Sequence, residues 1–233
     1  MNTVRAMPLA GLSLALLAAC SPSPTGVRGG AVGTPLEAAF LAAYGQPAPY
    51  TTIDDSGDHV TYSPQALEEV APGVVALIAK GEIPDGCRAC GEDLSIFYLQ
   101  HDASGFSRLG SWPDIGGKGE FGKALPWTIR TDIDNGPTLV TTRLQKDPAC
   151  SATLQELITL TPKQPVKIAT VVVATAFAPA SAGEAGLHVE GKVVPITRGK
   201  RFAVVLSGSD SVRQVYFRQG DVFTTQNGGA TGC

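Results

Sequence analysis

The chain has 233 residues, of which 43% are hydrophobic and 17% charged, with a formal net charge of −3. This apolar content is that of a folded domain of moderate size and excludes an extended, highly charged chain. No run of basic residues occurs, so the phosphate-neutralising surface that nucleic-acid binding needs is not expected.

Residues 1–19 begin with a short stretch carrying one positive charge, Arg5, followed by a run of mostly Leu and Ala from Leu9 to Ala19. A charged start, a short apolar centre and small residues at the end are the layout of a secretory signal peptide. The run is too short to span a bilayer, which needs about 20 residues, and no later segment is long enough without charge or proline to do so. It ends at Leu17-Ala18-Ala19-Cys20, which resembles the lipobox of bacterial lipoproteins. The resemblance covers residues 1–20. It implies cleavage before Cys20, diacylation of the Cys20 sulfur and acylation of the new amino terminus by chains such as palmitate. Several acyl chains on one residue give stable anchoring, so a membrane is the expected partner through lipid. In Gram-negative members of the class, a residue other than Asp after the cysteine directs sorting to the outer membrane, facing the periplasm; here it is Ser21.

Residues 20–33 are rich in Pro, Gly and Ser and read as a lipidated cysteine followed by a flexible tether. Residues 34–233 read as a single mainly-β domain with an N-terminal helical segment over 34–80. Thr34-Pro35-Leu36-Glu37 places Thr at N-cap, Pro at N1 and Glu at N3, and Gly45 stops the helix. Residues 50–62 suggest a hairpin around Asp54–Asp58. Ser63-Pro64 predicts a second helix to about Val70, ended by Pro72-Gly73. Val74 to Lys80 is a short apolar run that periodicity alone leaves as strand or helix.

From Leu94 the pattern is β. Apolar segments over 94–101, 105–112, 126–133, 137–144, 152–160, 166–177, 186–196, 201–208, 211–218 and 221–226 are separated by turn residues such as Asp134-Asn135-Gly136. About ten strands in hairpin order without βαβ alternation predict an antiparallel sandwich or barrel, with an irregular propeller as the alternative.

Setting Cys20 aside, Cys87, Cys90, Cys150 and Cys233 remain, an even number that suits two disulfides in an oxidising compartment. Three connectivities are open. Close spacing favours Cys87–Cys90, which leaves Cys150–Cys233. Cys87-Arg88-Ala89-Cys90 has the spacing of a redox dithiol but lies outside any βαβ context. Haem attachment would need His where Gly91 stands, and a zinc site would need a second matched pair. No metal or cofactor is expected. His59, His101 and His188 lie on separate segments, and no nucleophile elbow or zinc-protease motif occurs. Asp132–Gly136 fails the calcium-loop pattern, with Pro137 and Arg143 at the positions that need Gly and Glu.

Trp112 to Trp127 is a long loop that contains Gly116, Gly117, Gly119 and Gly122 together with Asp114, Lys118, Glu120 and Phe121. Long loops on rigid sheets carry binding functions, and Trp112, Asp114, Phe121 and Trp127 are the candidate contacts for an envelope protein or a saccharide. The bland reading is that both Trp side chains pack into the core. No catalytic set is visible. The expectation is therefore a non-enzymatic binding or accessory domain on the cell envelope. An envelope hydrolase or thiol oxidoreductase, and an inhibitor or structural protein, are the alternatives.

Overall fold

A computed structural model describes residues 33–84, 86, 90–179, 186–209, 211–226 and 233. The signal segment 1–19, Cys20 and the tether as far as residue 32 lie outside these, as does Cys87. The chain divides into two units, Met1–Ala31 and Val32–Cys233, and the second holds all the described structure.

The described chain has one helix, α1 (Pro35–Tyr44), bounded as its caps dictate. The Thr34 hydroxyl accepts the Glu37 N–H, Pro35 occupies the first turn, and Gly45 closes the helix with φ +71°. Thirteen strands follow: β1 (Tyr50–Ile53), β2 (His59–Ala71), β3 (Val74–Glu82), β4 (Leu94–Asp102), β5 (Gly105–Trp112), β6 (Trp127–Arg130), β7 (Thr138–Asp147), β8 (Cys150–Leu160), β9 (Pro165–Phe177), β10 (His188–Thr197), β11 (Arg201–Gly208), β12 (Val212–Gln219) and β13 (Val222–Thr225). They form two antiparallel sheets with sequential neighbours, β1 to β5 and β6 to β13. The larger sheet curls into a half-barrel. The expected antiparallel sandwich or barrel is therefore the fold, and strands in two meandering sheets replace the propeller alternative.

Three cores set the layers. Helix α1 places Phe40 and Ala43 on one face of the five-stranded sheet, against Leu77, Phe97 and Leu99. The opposite face of that sheet, with Ala76, Ile78, Ile96 and Tyr98, meets Leu139, Ile158 and Leu160 of the larger sheet. The concave side of the half-barrel is filled by its own side chains. Phe202 stacks on Tyr216 at 4.8 Å between centroids and meets Phe223 at 5.2 Å. Each fully buried side chain of this size contributes roughly 1.5–3 kcal/mol.

Two expectations need correction. The second helix over 63–70, and with it a helical segment running to 80, is replaced by strands β2 and β3. Ala66 and Val70 pack on one face and Leu67 on the other, so a strand buried on both sides hid its alternation. Pro64, which reads as a helix start, sits at a register shift between Pro64 and Ala66, where a missing N–H is tolerated. The segment expected as a strand over 126–133 keeps only Trp127–Arg130 in the ladder. Ile133 leaves it to enter the half-barrel core. Asp134 also turns inward, and its carboxylate meets Arg218 at 2.6 Å and the Thr159 hydroxyl at 2.8 Å. Burial alone would raise the Asp134 pKa, but hydrogen bonds from Arg218, the Asn135 N–H and Thr159 outweigh it and hold the carboxyl below its ordinary value.

Candidate functional site

The long glycine-containing loop is packed along its length against the loop that precedes β4. Ile83 N–H donates to Gly122 O at 2.7 Å, Gly119 N–H to Glu92 O at 3.1 Å and Gly122 N–H to Cys90 O at 2.6 Å. Isolated bridges join Glu82 to Lys123 and Asp93 to Lys118. The glycines make this contact possible. A Cβ on Gly91 would run into the Gly119 carbonyl, and one on Gly122 into the Ile83 carbonyl. These contacts join the described parts of the two loops into one lobe. Cys90 is disulfide-bonded.

The candidate contact residues divide. Trp112 packs half-buried against the core between the sheets, edge-on to Tyr98 at 4.9 Å. Trp127 packs into the same core from β6. Phe121 and Asp114 face solvent, both with positive φ (+54° and +62°), which costs a non-glycine residue about 1 kcal/mol or more. His59 is exposed, His101 stacks on Phe106 and His188 lies beside Glu190, so the three do not meet. Cys150 and Cys233 are joined by a disulfide.

The fold also assembles a carboxyl cluster that linear spacing does not announce. Glu92 and Asp93 are buried at the start of β4. Asp93 Oδ1 has no donor, its Oδ2 lies 3.8 Å from Lys118 Nζ, and its carboxyl is within hydrogen-bonding reach of Asp114. Burial, then the hydrogen bond and charge of Asp114, push the Asp93 pKa up to about 7. Burial likewise raises Glu92. Tyr62 is pushed up to about 12 by burial and then by the charges of Glu92, Asp93, Asp114 and Asp54. Burial and the neighbouring Asp114 thus favour the protonated form of the Asp93 carboxyl. Among the described residues, no group of three or more His, Cys, Asp or Glu side chains is arranged to hold a metal ion.

Beside the lobe lies a groove of about 830 Å³. One wall is the loop, with Lys118, Glu120, Lys123 and Leu125; the other is β7, with Arg143 and Leu144. The groove opens because β6 stops at a proline. Thr142 N–H donates to Pro126 O at 2.9 Å, Pro126 has no N–H to return, and the preceding chain turns away into the lobe. Beyond Thr142, β7 continues to Asp147 with β8 on one side and no strand on the other among the described residues. Lys123 and Arg143 have no ion-pair partner among the described residues. The groove thus combines three cations, one acid and an aliphatic floor, a composition suited to an anionic partner with apolar side chains.

Compared with protein-family models, curated proteins and solved structures, the chain matches none.

Proposed function

We propose that this chain is a lipid-anchored protein of the bacterial cell envelope, held through Cys20 on the outer membrane and facing the periplasm. Its β domain serves as a non-enzymatic binding module. The observation that carries the binding role is the groove between the lobe and β7, where Lys123 and Arg143 lack an ion-pair partner among the described residues. Its lining is aliphatic and charged, which fits a protein partner better than a saccharide stacked on aromatic rings. The anchor rests on the signal segment and lipobox of residues 1–20.

Two experiments test this reading. Cells fed labelled palmitate should label the wild-type chain, and Cys20→Ala should abolish the label and release the protein from the membrane fraction. A photo-crosslinking residue at position 123 should give an adduct with an envelope protein in living cells. Retained label in Cys20→Ala would refute the anchor, and absence of any adduct at the groove would refute the contact surface.

An acid–base enzyme is the second reading, favoured by the two carboxyls of Asp93 and Asp114 side by side, with that of Asp93 raised by burial and by Asp114. It requires a substrate to reach Asp93, whose surface is 6% exposed. Asp114→Asn would abolish a hydrolytic activity if that reading holds.

A further inference from the structure

The free edge of β7 explains what kind of partner the groove fits. In the unbroken β7–β8 register, Asp147 pairs with Cys150 across the turn, and the ladder alternates from there. Thr142 N–H already points to the β6 side. The N–H and C=O groups of Leu144 and Lys146 point the same way, into space that β6 would occupy if it continued. This half of β7, Arg143 to Asp147, is also the exposed half of the strand. A row of backbone groups without partners among the described residues, beside a walled groove, is the arrangement that accepts an added strand.

We propose that the groove receives an extended acidic peptide of another protein, which adds as an antiparallel strand to β7 at Leu144 and Lys146. The proposal rests on the groove being the contact site. The free edge is about four residues long, roughly 13 Å at strand rise. Backbone hydrogen bonds supply the docking and side chains alternate between two environments. One set faces the side of β7 that carries Leu144 and Lys146. The other faces the side of β7 that carries Arg143, and the groove's cations Lys118, Lys123 and Arg143 are set against Glu120 alone. This local positive balance contrasts with the net charge of −3 on the chain and selects acidic partners.

Other occupants fit less well. A second copy pairing edge to edge about a two-fold axis would set the net-positive segment Arg143–Asp147 against itself, a poorer charge match than an acidic strand. Residues 21–33 carry Arg28 and no acid, and residues 227–232 carry no charge, so neither segment of this chain has the required sign. Lysine and arginine on a free edge also serve to keep other strands away. That protective role predicts that no peptide binds.

The test uses the full-length lipoprotein in detergent micelles and a fluorescein-labelled peptide alternating Glu and Val, read by anisotropy. Three controls accompany it: the same peptide N-methylated on the amides that would face β7, a Lys–Val peptide, and the protein variants Leu144→Pro and Lys123→Glu/Arg143→Glu. Leu144→Pro removes a donor that faces the groove and none that faces β8. The Glu–Val peptide should bind saturably and weaken with salt. N-methylation, Leu144→Pro, the charge reversals and the Lys–Val sequence should each weaken binding by about tenfold or more. Absence of saturable binding by the wild type, or equal binding of the N-methylated peptide, overturns strand addition. If Leu144→Pro fails to fold, the N-methylated peptide on wild-type protein still decides. Should the position-123 crosslink capture a partner while the peptide results are negative, strand addition fails and the groove reading stands. Without an adduct, both fail.

Discussion

Replacing Asp93 by asparagine should make the protein more stable in mild alkali and leave it nearly unchanged at about pH 4 and below. Asp93 is buried, with one oxygen lacking any donor and Lys118 Nζ no closer than 3.8 Å. Its carboxyl moves from an ordinary 3.8 to about 7 in the fold, chiefly through burial and then through Asp114. The folded chain therefore binds this proton more tightly than the unfolded chain does. The stabilisation is complete below about pH 4 and is lost as the pH rises toward 7. At about 1.36 kcal/mol per factor of ten, the full difference is about 4 kcal/mol. Glu92 and Tyr62 face the same carboxyl, and Asp114 lies at the surface, where water screens the pair; about 1–3 kcal/mol is the expected effect. The amide of Asp93→Asn keeps the shape, donates to Asp114 and carries no charge. Urea unfolding at about pH 8 should show the variant more stable by that amount, with the difference cut to roughly 40% of it at about pH 5 and to under about 0.5 kcal/mol at about pH 4. Equal destabilisation of the variant at all three values would refute the reasoning, because it would mean that the ionised carboxylate is the form the fold prefers.

Truncating the aromatic residues of the long loop separates core from surface. Trp112→Ala removes the partner of Tyr98 and should cost about 3–5 kcal/mol in denaturant unfolding. Phe121→Ala, at an exposed site, should change stability by less than about 0.5 kcal/mol, and an equal loss at both sites would contradict this division. Arg218→Ala leaves Asp134 charged, 3% exposed and short of its strongest partner, and should cost about 3–5 kcal/mol at neutral pH. Because that partnership lowers the Asp134 pKa, wild type and variant should converge as the pH falls below about 4, a convergence that calorimetry at several pH values would detect. Cys150→Ser opens a bridge of 83 residues' separation, for which chain entropy gives about 4.5 kcal/mol and native strain or residual order reduces the loss to about 2–4. A thermal midpoint unchanged by this substitution or by reductant would show that the bridge does not stabilise the fold.

Much of the architecture was legible in the linear chain because its signals are local. Thr34, Pro35 and Gly45 bound α1 through caps that act within one helical turn. From Leu94 on, turn residues and short apolar segments placed the strands in order, and neighbours in sequence became neighbours in the sheets. The same local logic failed at Ser63-Pro64, where a helix-start signature lies inside a 13-residue strand. Pairing with β3 and burial on two faces outweighed it there.

The site depended on contacts between distant segments. Asp54, Glu92, Asp93 and Asp114 are scattered along the chain, so no spacing rule gathers them. The glycines of residues 116–122 read as a long loop, yet Gly122 lies against the Ile83 carbonyl and Gly119 against the Lys123 carbonyl, so both are close-contact positions. Pro126 before Trp127 was the one linear hint of the groove. A proline ends strand pairing on the side where its N–H is missing, but only the length of β7 beyond that point decides whether an edge is left open. The sequence by itself determined most element identities, their order and the cysteine inventory, since these follow from short-range chemistry. Tertiary structure alone decided that Cys150 meets Cys233, which aromatic residues are core, and that the cations of residues 118, 123 and 143 share one groove, because each is a distance between segments that the chain brings together only on folding.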